Sequence, residues 1–485
     1  MTNLRDIIAA LPDCRVTGNT DLEIAGLELD SRKIQKGFLY AAMPGTRADG
    51  HDFISQAVEN GATVVLCNHI PSVTSDVTYL QVEDVAESLG QVCRVFFKDP
   101  SATLTLVGTT GTNGKTTVST LLFELFSNMG HTCGLVSTVE YRIGSTVLPS
   151  THTTPDIIGL YRLLRQMVEQ GCSHCFMEVS SHAAHQKRIA GLSFSGGIFT
   201  NITHDHLDYH GTFANYIAAK KSFFDRLPST AFALTNKDDR NGQVMLQNTK
   251  ASRYTYAMSN AADFSVKILE SDFSGTLLQL NGTEAWVQLV GGFNAYNLAA
   301  VYGAAFLLTE GQEDLVVQMS KLGRVNGRFE TVKGPNRISG IIDYAHTPDA
   351  LENVLNTIND IRSGNCRLIT VVGCGGNRDA AKRPEMGKIA TRLSDRVVFT
   401  SDNPRDEDPE AIIQAMEAGV EGQHYKRMLK ITDRREAIRA AVLMAEPGDV
   451  ILIAGKGHET YQEIRGVKHP FDDKQILRET FEQIN

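Results

Sequence analysis

The sequence predicts an α/β protein of three domains. These are a small N-terminal α/β unit over 1–98, a central domain over 99–325 on a mostly parallel sheet, and a Rossmann-like α/β domain over 326–485. Three observations carry this reading. A chain of 485 residues is too long for one hydrophobic core. From about residue 102 onward, short apolar runs alternate with amphipathic stretches, as strands joined by helical crossovers do. At one such junction stands Gly108-x-x-Gly111-x-x-Gly114-Lys115-Thr116, a strand breaking into a glycine-rich loop and restarting as a helix.

In the first unit the opening stretch 1–14 is amphipathic and interrupted by Asp6 and Asp13, unlike a signal peptide or a membrane span. Residues 27–32 and the apolar run 38–43 precede a helix near 52–60 and a strand at 62–66, with Gly61 as the helix stop between them. Residues 97–101 read as a linker, because Pro100 ends any helix before it.

The central unit has candidate strands at 103–107, 133–136, 175–179, 197–199 and 231–234. Alternating segments at 262–269, 276–280 and 285–289 read as antiparallel strands extending the sheet, and a helix over 294–308 follows Gly291-Gly292. The loop after the first strand is the residue set that makes this unit P-loop ATPase-like. Glycines let successive backbone N–H groups turn toward one point, where a helix N-terminus adds its positive dipole end. Gly108, Thr109, Thr110, Gly111, Thr112, Asn113, Gly114, Lys115, Thr116 and Thr117 therefore form a predicted site for ATP or GTP. Lys115 would reach the β/γ-phosphates and the Thr116 hydroxyl would sit on Mg²⁺.

Two further segments of this unit carry acid, base and ligand groups. Glu178 closes a candidate strand, where it reads equally as a Mg²⁺ ligand or as a surface carboxylate. His204, Asp205, His206 and Asp208 crowd one loop after a short strand, with His210 beyond, which suggests a second cation position. Lys220 and Lys221 lie on an amphipathic helix pattern and by themselves read as solvated.

The third unit has candidate strands at 340–343, 367–372, 396–400 and 449–454, and helices near 350–362, 383–393 and 434–445. Polar loops follow each strand: 343–349, 373–379, 401–405 and 455–459. Open α/β sheets bind ligands at strand C-terminal ends, so loops rich in Asp, Asn, Arg, His and Glu point to a polar, zwitterionic ligand.

Composition narrows the classes. A net charge of −9 without a Lys/Arg block argues against a nucleic-acid surface. No stretch approaches the roughly 20 apolar residues of a membrane span. Eight scattered cysteines do not make a disulfide framework, and Cys172-x-x-Cys175 runs into an apolar strand, so both read as buried thiols of a cytoplasmic protein.

With these residues laid out, the chain resembles the Mur ligases, ATP-dependent amide-forming enzymes of peptidoglycan synthesis. The matching pieces are 108–117, 178–182, 201–208, 216–220, 292–297, 327–330 and 343–348, in family order along the whole chain. Residues 29–32, 153–155 and 401–405 are most like those of members that add the third amino acid. The resemblance implies an N-terminal domain that holds a UDP-N-acetylmuramoyl dipeptide, with Ser31 near the uridine. Thr153, Thr154, Ser180 and Arg188 would contact the same substrate. Asn294 would contact adenine, and Arg328 and Asp343 would reach ATP. It turns Lys220 into a carbamylated lysine that holds Mg²⁺ with Thr116, Glu178 and His206. Lys115, Lys220, Glu178 and His206 are the implied catalytic set.

The acceptor implied is meso-diaminopimelate, bound by Arg378, Asp402, Asn403, Pro404, Arg405, Gly455 and Glu459. A guanidinium grips a carboxylate through two parallel hydrogen bonds, so Arg405 is the residue expected to choose diaminopimelate over lysine. Glu459 would face the distal ammonium. The pattern departs at Asn377, where many relatives would carry Asp. His346 or His206 is a conceivable base for the amine. The expected protein is a cytoplasmic monomer without nucleic-acid partners. The rival readings are a lysine-adding member, a folate polyglutamate synthase, for which the segment 30–32 has no use, and a non-catalytic nucleotide-binding partner, which need not keep Lys115, Glu178, His206 and Lys220.

Overall fold

The computed structural model of the protein describes residues 1–484 except 46–47, 72–76, 151, 312–313 and 363. Three sheets of five, eleven and six strands arise along the chain, joined by helices that cover their faces.

The five-stranded sheet runs Arg15–Thr17, Thr78–Gln81, Ala62–Cys67, Phe38–Ala41, Gly26–Glu28, with only the first strand antiparallel to its neighbour. The expected helix near 52–60 is a 3-10 turn, Gly50–Phe53, leading into Ile54–Glu59. Helix Val85–Phe96 has a strongly one-sided apolar face. It buries Leu89, Val92 and Cys93 in a cluster shared with Ile157, Ile158 and Tyr161 of helix Ile157–Glu169. The first unit is therefore seated on the second through a common core. Arg226 adds an ion pair to Glu87 across the same seam at 2.9 Å.

The eleven-stranded sheet has strand Thr105–Thr110 near its middle, between His174–Glu178 and Gly196–Phe199, both parallel to it. Glu178 and Ile198 both pair with Thr109, so the three strands end level, and their following loops meet. Because the chain passes from one side of this strand to the other, the loop lies at a switch point of the sheet. Strands Phe264–Asp272, Gly275–Leu280 and Thr283–Val287 are antiparallel to one another, as expected. They join the parallel part through Ser252–Ala257, which pairs in parallel on both sides. Helix Gly292–Leu308 is apolar over most of its surface and packs on this sheet alongside helix Lys115–Asn128.

The six-stranded sheet runs Glu330–Lys333, Ser339–Asp343, Val450–Ala454, Leu368–Val372, Arg396–Phe399, Met428–Lys430, antiparallel only at Glu330–Lys333. Asp343, Ala454, Val372 and Phe399 are in register, so the four loops singled out in the sequence leave one edge together. No helix among the described residues is long and apolar enough to cross a membrane. All eight cysteines are unpaired, and Cys172 and Cys175 are buried thiols, as their apolar surroundings predicted.

Candidate active site

The glycine loop is built against the strand beside it. Gly111 and Gly114 both have positive φ, 151° and 90°. A Cβ on Gly111 would run into the Thr200 hydroxyl, and one on Gly114 into the Asn297 amide, so neither position admits a side chain. Thr200 Oγ1 donates to Asn113 O at 2.6 Å, and Asn113 N donates to Asn201 Oδ1 at 2.9 Å. Gly114 caps helix Lys115–Asn128, leaving that helix N-terminus facing the loop. Gly108, Thr109 and Thr110 belong to the strand beneath the loop. Lys115 folds back and donates from Nζ to Gly111 O at 3.0 Å and Thr112 O at 2.7 Å.

Glu178 is wholly buried, which removes the surface-carboxylate reading. Its Oε1 accepts from Thr116 Oγ1 at 2.8 Å and Thr138 N at 2.7 Å, and its Oε2 from Thr138 Oγ1 at 3.2 Å. Lys220 corrects the solvated-lysine reading. It is 1% exposed, donates to Gly111 O at 2.7 Å and stands 4.6 Å from the Tyr216 ring centroid. Burial, reinforced by the charge on Lys115, pulls its amine well below the ordinary lysine value. The helix pattern alone could not reveal this, because the face it presents is the one under the loop.

The His204–Asp208 loop divides. Asp205, His206 and Asp208 line the cavity beside Lys115 and Lys220. His204 turns outward to Asp379 at 3.2 Å, and His210 bonds Ser181 Oγ at 3.0 Å. Burial pushes His206 down to about 3 against the pull of Asp205, so the ring is neutral although 43% of its side chain still faces the cavity.

These groups suit Mg²⁺. A hydroxyl and a carboxylate already converge, and Lys220, an amine whose proton affinity burial lowers, lines the same cavity; reaction with CO₂ would convert it to an oxygen ligand. No three His, Cys, Asp or Glu among the described residues form a cage, so an ion here takes its remaining oxygens from phosphate and water.

Two cavities adjoin across the loop. One of about 500 Å³ is lined by Asn113, Gly114, Thr117, Tyr296, Asn297 and Asp343, between the second and third units. Asn294 sits behind it: its Nδ2 donates to Val290 O and its Oδ1 accepts from Asn297, so Asn297 is the residue that faces the space. Both Asp343 oxygens accept backbone N–H groups, from Phe329 at 2.7 Å and Ala345 at 2.8 Å, fixing the loop that carries Arg328.

The other cavity, about 430 Å³, joins the remaining residues. Lys115, Thr116 and Glu178 form one wall, Thr153, Thr154, Ser180 and Arg188 a second, and Arg378, Asp402, Asn403, Arg405, Gly455 and Glu459 a third. Thr154 Oγ1 donates to Glu178 O at 2.9 Å, and Arg188 Nη1 to Thr154 O at 2.9 Å, so the second wall is tied to the first. Arg405 donates from Nη1 to Gly376 O at 2.7 Å and pairs with Glu463 at 3.3 Å. Pro404 does not line this space, and Ser31 lies apart from both cavities, its hydroxyl donating to Gln56 Oε1 at 2.6 Å.

Sequence reasoning passed over Asp205 as an electrostatic partner of Lys115, and Lys382, whose Nζ donates to His346 O at 2.8 Å. It also missed hairpin Tyr461–Ile464/Val467–Pro470, whose Glu463 reaches Arg405. The Arg465-Gly466 dipeptide, a two-residue turn with both φ positive, was the available signal.

Three family models match consecutive parts of the chain: "Mur ligase family, catalytic domain" over 23–97, "Mur ligase middle domain" over 109–305, and "Mur ligase, glutamate ligase domain" over 327–457. The chain is 53% identical over 483 residues to a protein of Cytophaga hutchinsonii, covering 99% of each. It is 42% identical over 461 residues to one of Aquifex aeolicus, covering 94% of this chain and 93% of the other. Both are named UDP-N-acetylmuramoyl-L-alanyl-D-glutamate–2,6-diaminopimelate ligase. A solved structure of that name superposes with a TM-score of 0.68 at 34% identity, covering 95% of each chain. A MurF ligase of Thermotoga maritima in complex with ADP shares the fold at 19% identity, with a TM-score of 0.62 and 94% and 97% coverage.

Proposed function

The chain belongs to the Mur ligase family, and from that premise we propose that it joins meso-diaminopimelate to UDP-N-acetylmuramoyl-L-alanyl-D-glutamate, cleaving ATP to ADP and phosphate. The observation that carries this reading is the 430 Å³ cavity, lined at once by Lys115 and Glu178, by Thr153 and Arg188, and by Arg378 and Arg405. Triphosphate chemistry, an anionic peptide and a zwitterionic acceptor can meet there and nowhere else among the described cavities.

The D-glutamate side-chain carboxylate attacks the γ-phosphorus of ATP, and the bond from that phosphorus to the bridging oxygen breaks, leaving ADP and an acyl phosphate. The unprotonated amine of diaminopimelate then attacks the acyl carbon, and the tetrahedral intermediate expels phosphate as the amide forms. Both reactants of the first step are anionic, so positive charge must be in place beforehand. Lys115 on the glycine loop and Arg328 from the third unit supply it. Thr116, Glu178, His206 and Lys220 as its carbamate would hold Mg²⁺, which when bound lets a carboxylate approach a triphosphate. Arg188, Thr153, Thr154 and Ser180 orient the peptide, and Ser31 belongs to the seat of the uridine end. Arg378 and Arg405 take the acceptor's carboxylate, and Asp402 and Glu459 its ammonium. The His346 ring is neutral, pushed down to about 4 by burial and by Lys382, and its Nδ1 is tied to Tyr344 O at 2.8 Å. Its Nε2 is thereby left able to accept the amine proton. The reaction belongs to the cytoplasm in this reading, where ATP and UDP-linked precursors are found.

The test is phosphate release from ATP with the UDP-linked dipeptide, offering meso-diaminopimelate and L-lysine separately. Release that requires diaminopimelate, with the tripeptide product identified by mass, is expected. Release with lysine alone would overturn the acceptor assignment, and silence with both from folded, ATP-binding protein would overturn the reaction.

A further inference from the structure

Behind the acceptor wall lies a buried cation that the mechanism above does not use. Lys456 follows strand Val450–Ala454 by two residues, and its side chain is wholly buried. Its Nζ donates to Asn403 Oδ1 at 2.9 Å and to Glu459 Oε2 at 3.0 Å, and it stands 5.6 Å from the Tyr461 ring centroid. Asn403 Nδ2 donates to that same Glu459 oxygen at 2.8 Å, which closes a triangle of three side chains. Asn403 Oδ1 also accepts Glu463 N at 2.8 Å, tying the triangle to the hairpin that reaches Arg405.

Asn403, Glu459 and Asp402 line the cavity, whereas Lys456 does not. Asp402 and Glu459 put two carboxylates on one cavity wall, where like charges repel. Burial would raise Asp402, yet it is held below the usual carboxylate range by Lys456 and by Arg434, whose Nη1 is 4.0 Å away. Arg434 is already committed to Asp473 at 2.7 Å, which leaves Lys456 as the cation shared among the cavity-facing groups. A side chain that only filled space here would be apolar, since burying an ammonium is costly unless its hydrogen bonds are used.

We propose that Lys456 is a positioning residue for the acceptor: from behind the wall it and Asn403 hold Glu459 by Oε2, so that Glu459 Oε1 is turned to receive an ammonium group of the incoming diamino acid. This rests on the acceptor class assigned above.

The experiment is steady-state phosphate release by the full chain and its Lys456→Met variant, with KM measured for meso-diaminopimelate, ATP and the UDP-linked dipeptide. Losing hydrogen bonds from a charged donor predicts an acceptor KM about tenfold higher or more. The other two KM values should stay within about twofold, because neither substrate meets the triangle. An unchanged acceptor KM, or three KM values that rise together, would overturn the proposal, the latter by showing a merely structural role. If Lys456→Met does not fold, Lys456→Gln, which keeps a donor toward Asn403 without charge, is judged by the same split. The unsubstituted chain is the control that separates the two readings. Diaminopimelate-dependent release from it, with no KM split in the variants, sinks only the role of Lys456. No such release from it sinks the acceptor assignment and this inference with it.

Discussion

Lys115 and Lys220 converge on one acceptor: the Gly111 carbonyl takes a hydrogen bond from each, at 3.0 and 2.7 Å. Two ammonium groups so close, in a buried place, cannot both be comfortably charged. Burial lowers the proton affinity of both, and that of Lys220 the more strongly, with the charge on Lys115 adding to the effect. Carbamylation by CO₂ requires an unprotonated amine, the form that a lowered proton affinity favours. Lys220→Arg places a permanent positive charge there and cannot form the carbamate. We therefore expect it to lose about 10²-fold or more in kcat, the scale of removing one preorganised electrostatic group. Depleting CO₂ should lower the activity of the unsubstituted protein, and bicarbonate should restore it. Retained turnover in a folded Lys220→Arg variant would show that Lys220 acts only as a cation.

Arg328 spans the second and third units, donating from Nη2 to Thr116 Oγ1 at 3.1 Å with its guanidinium 4.6 Å from the Tyr344 ring centroid. Asn113 Nδ2 makes a second bridge, to Asp349 Oδ2 at 2.8 Å. Both bridges end at the glycine loop, so the third unit helps to assemble the phosphate site when the two close on each other. Arg328→Ala should reduce kcat by about 10²-fold while leaving binding of the UDP-linked dipeptide nearly unchanged. Solution scattering should show the unsubstituted protein compacting with all ligands bound and the variant compacting less. Equal compaction with normal kcat would remove Arg328 from the site.

Much of this was legible in the residues, and the exceptions share a cause. The strand–loop–helix at Gly108–Thr116 encodes itself locally, because its glycines are demanded by backbone geometry and by the close approach of Thr200 and Asn297. The four strand-end loops of the third unit were visible for the same reason, each following an apolar run. Glu178 was legible only as one of two equal readings, and Lys220 read as solvated, because their burial is a tertiary fact that no local pattern carries. Strand Ser252–Ala257 and hairpin Glu140–Ile143/Thr146–Pro149 escaped because they are short and largely polar, with only two residues buried in the first and two in the hairpin. Asn294 lies behind Asn297, which stands one turn on and lines the cavity, a difference of facing that the helix pattern alone does not carry.

Two histidines at the junction make stability depend on pH. Burial pushes His346 down to about 4 and His458 to about 3, helped by Lys382 at the first and Arg328 at the second. Both lie below the unfolded value of about 6.5, so between those limits the unfolded chain binds more protons. Their contribution is therefore complete above about pH 7 and is lost as pH falls toward 4, at up to about 1.4 kcal/mol per pH unit for each. Urea midpoints should drop steadily from pH 7.5 to 5, and His458→Gln should flatten that slope. A midpoint constant over the range would mean that neither ring is buried neutral.

Arg405 is held before any acceptor arrives. Its backbone has φ 51° and is bracketed by the hairpin, Arg405 N donating to Glu463 O at 3.1 Å and Arg405 O accepting from Arg465 N at 2.8 Å. Its side chain is anchored through Nη1 on Gly376 O, leaving Nη2 for a ligand. An acceptor with a distal carboxylate satisfies Nη2, whereas lysine leaves that edge of the guanidinium unused, with only Glu463 on its Nε as partner. Arg405→Lys keeps the charge but loses the planar fork. We expect it to raise the KM for meso-diaminopimelate by about 10- to 100-fold, as hydrogen bonds to charged groups imply, while the KM for the UDP-linked dipeptide holds. The ratio of kcat/KM for diaminopimelate over L-lysine should collapse in parallel, because the discrimination resides in that one group. If both acceptors weaken equally, or if the UDP-linked substrate weakens as much as the acceptor, Arg405 supports the cavity wall and the choice of amino acid is made elsewhere.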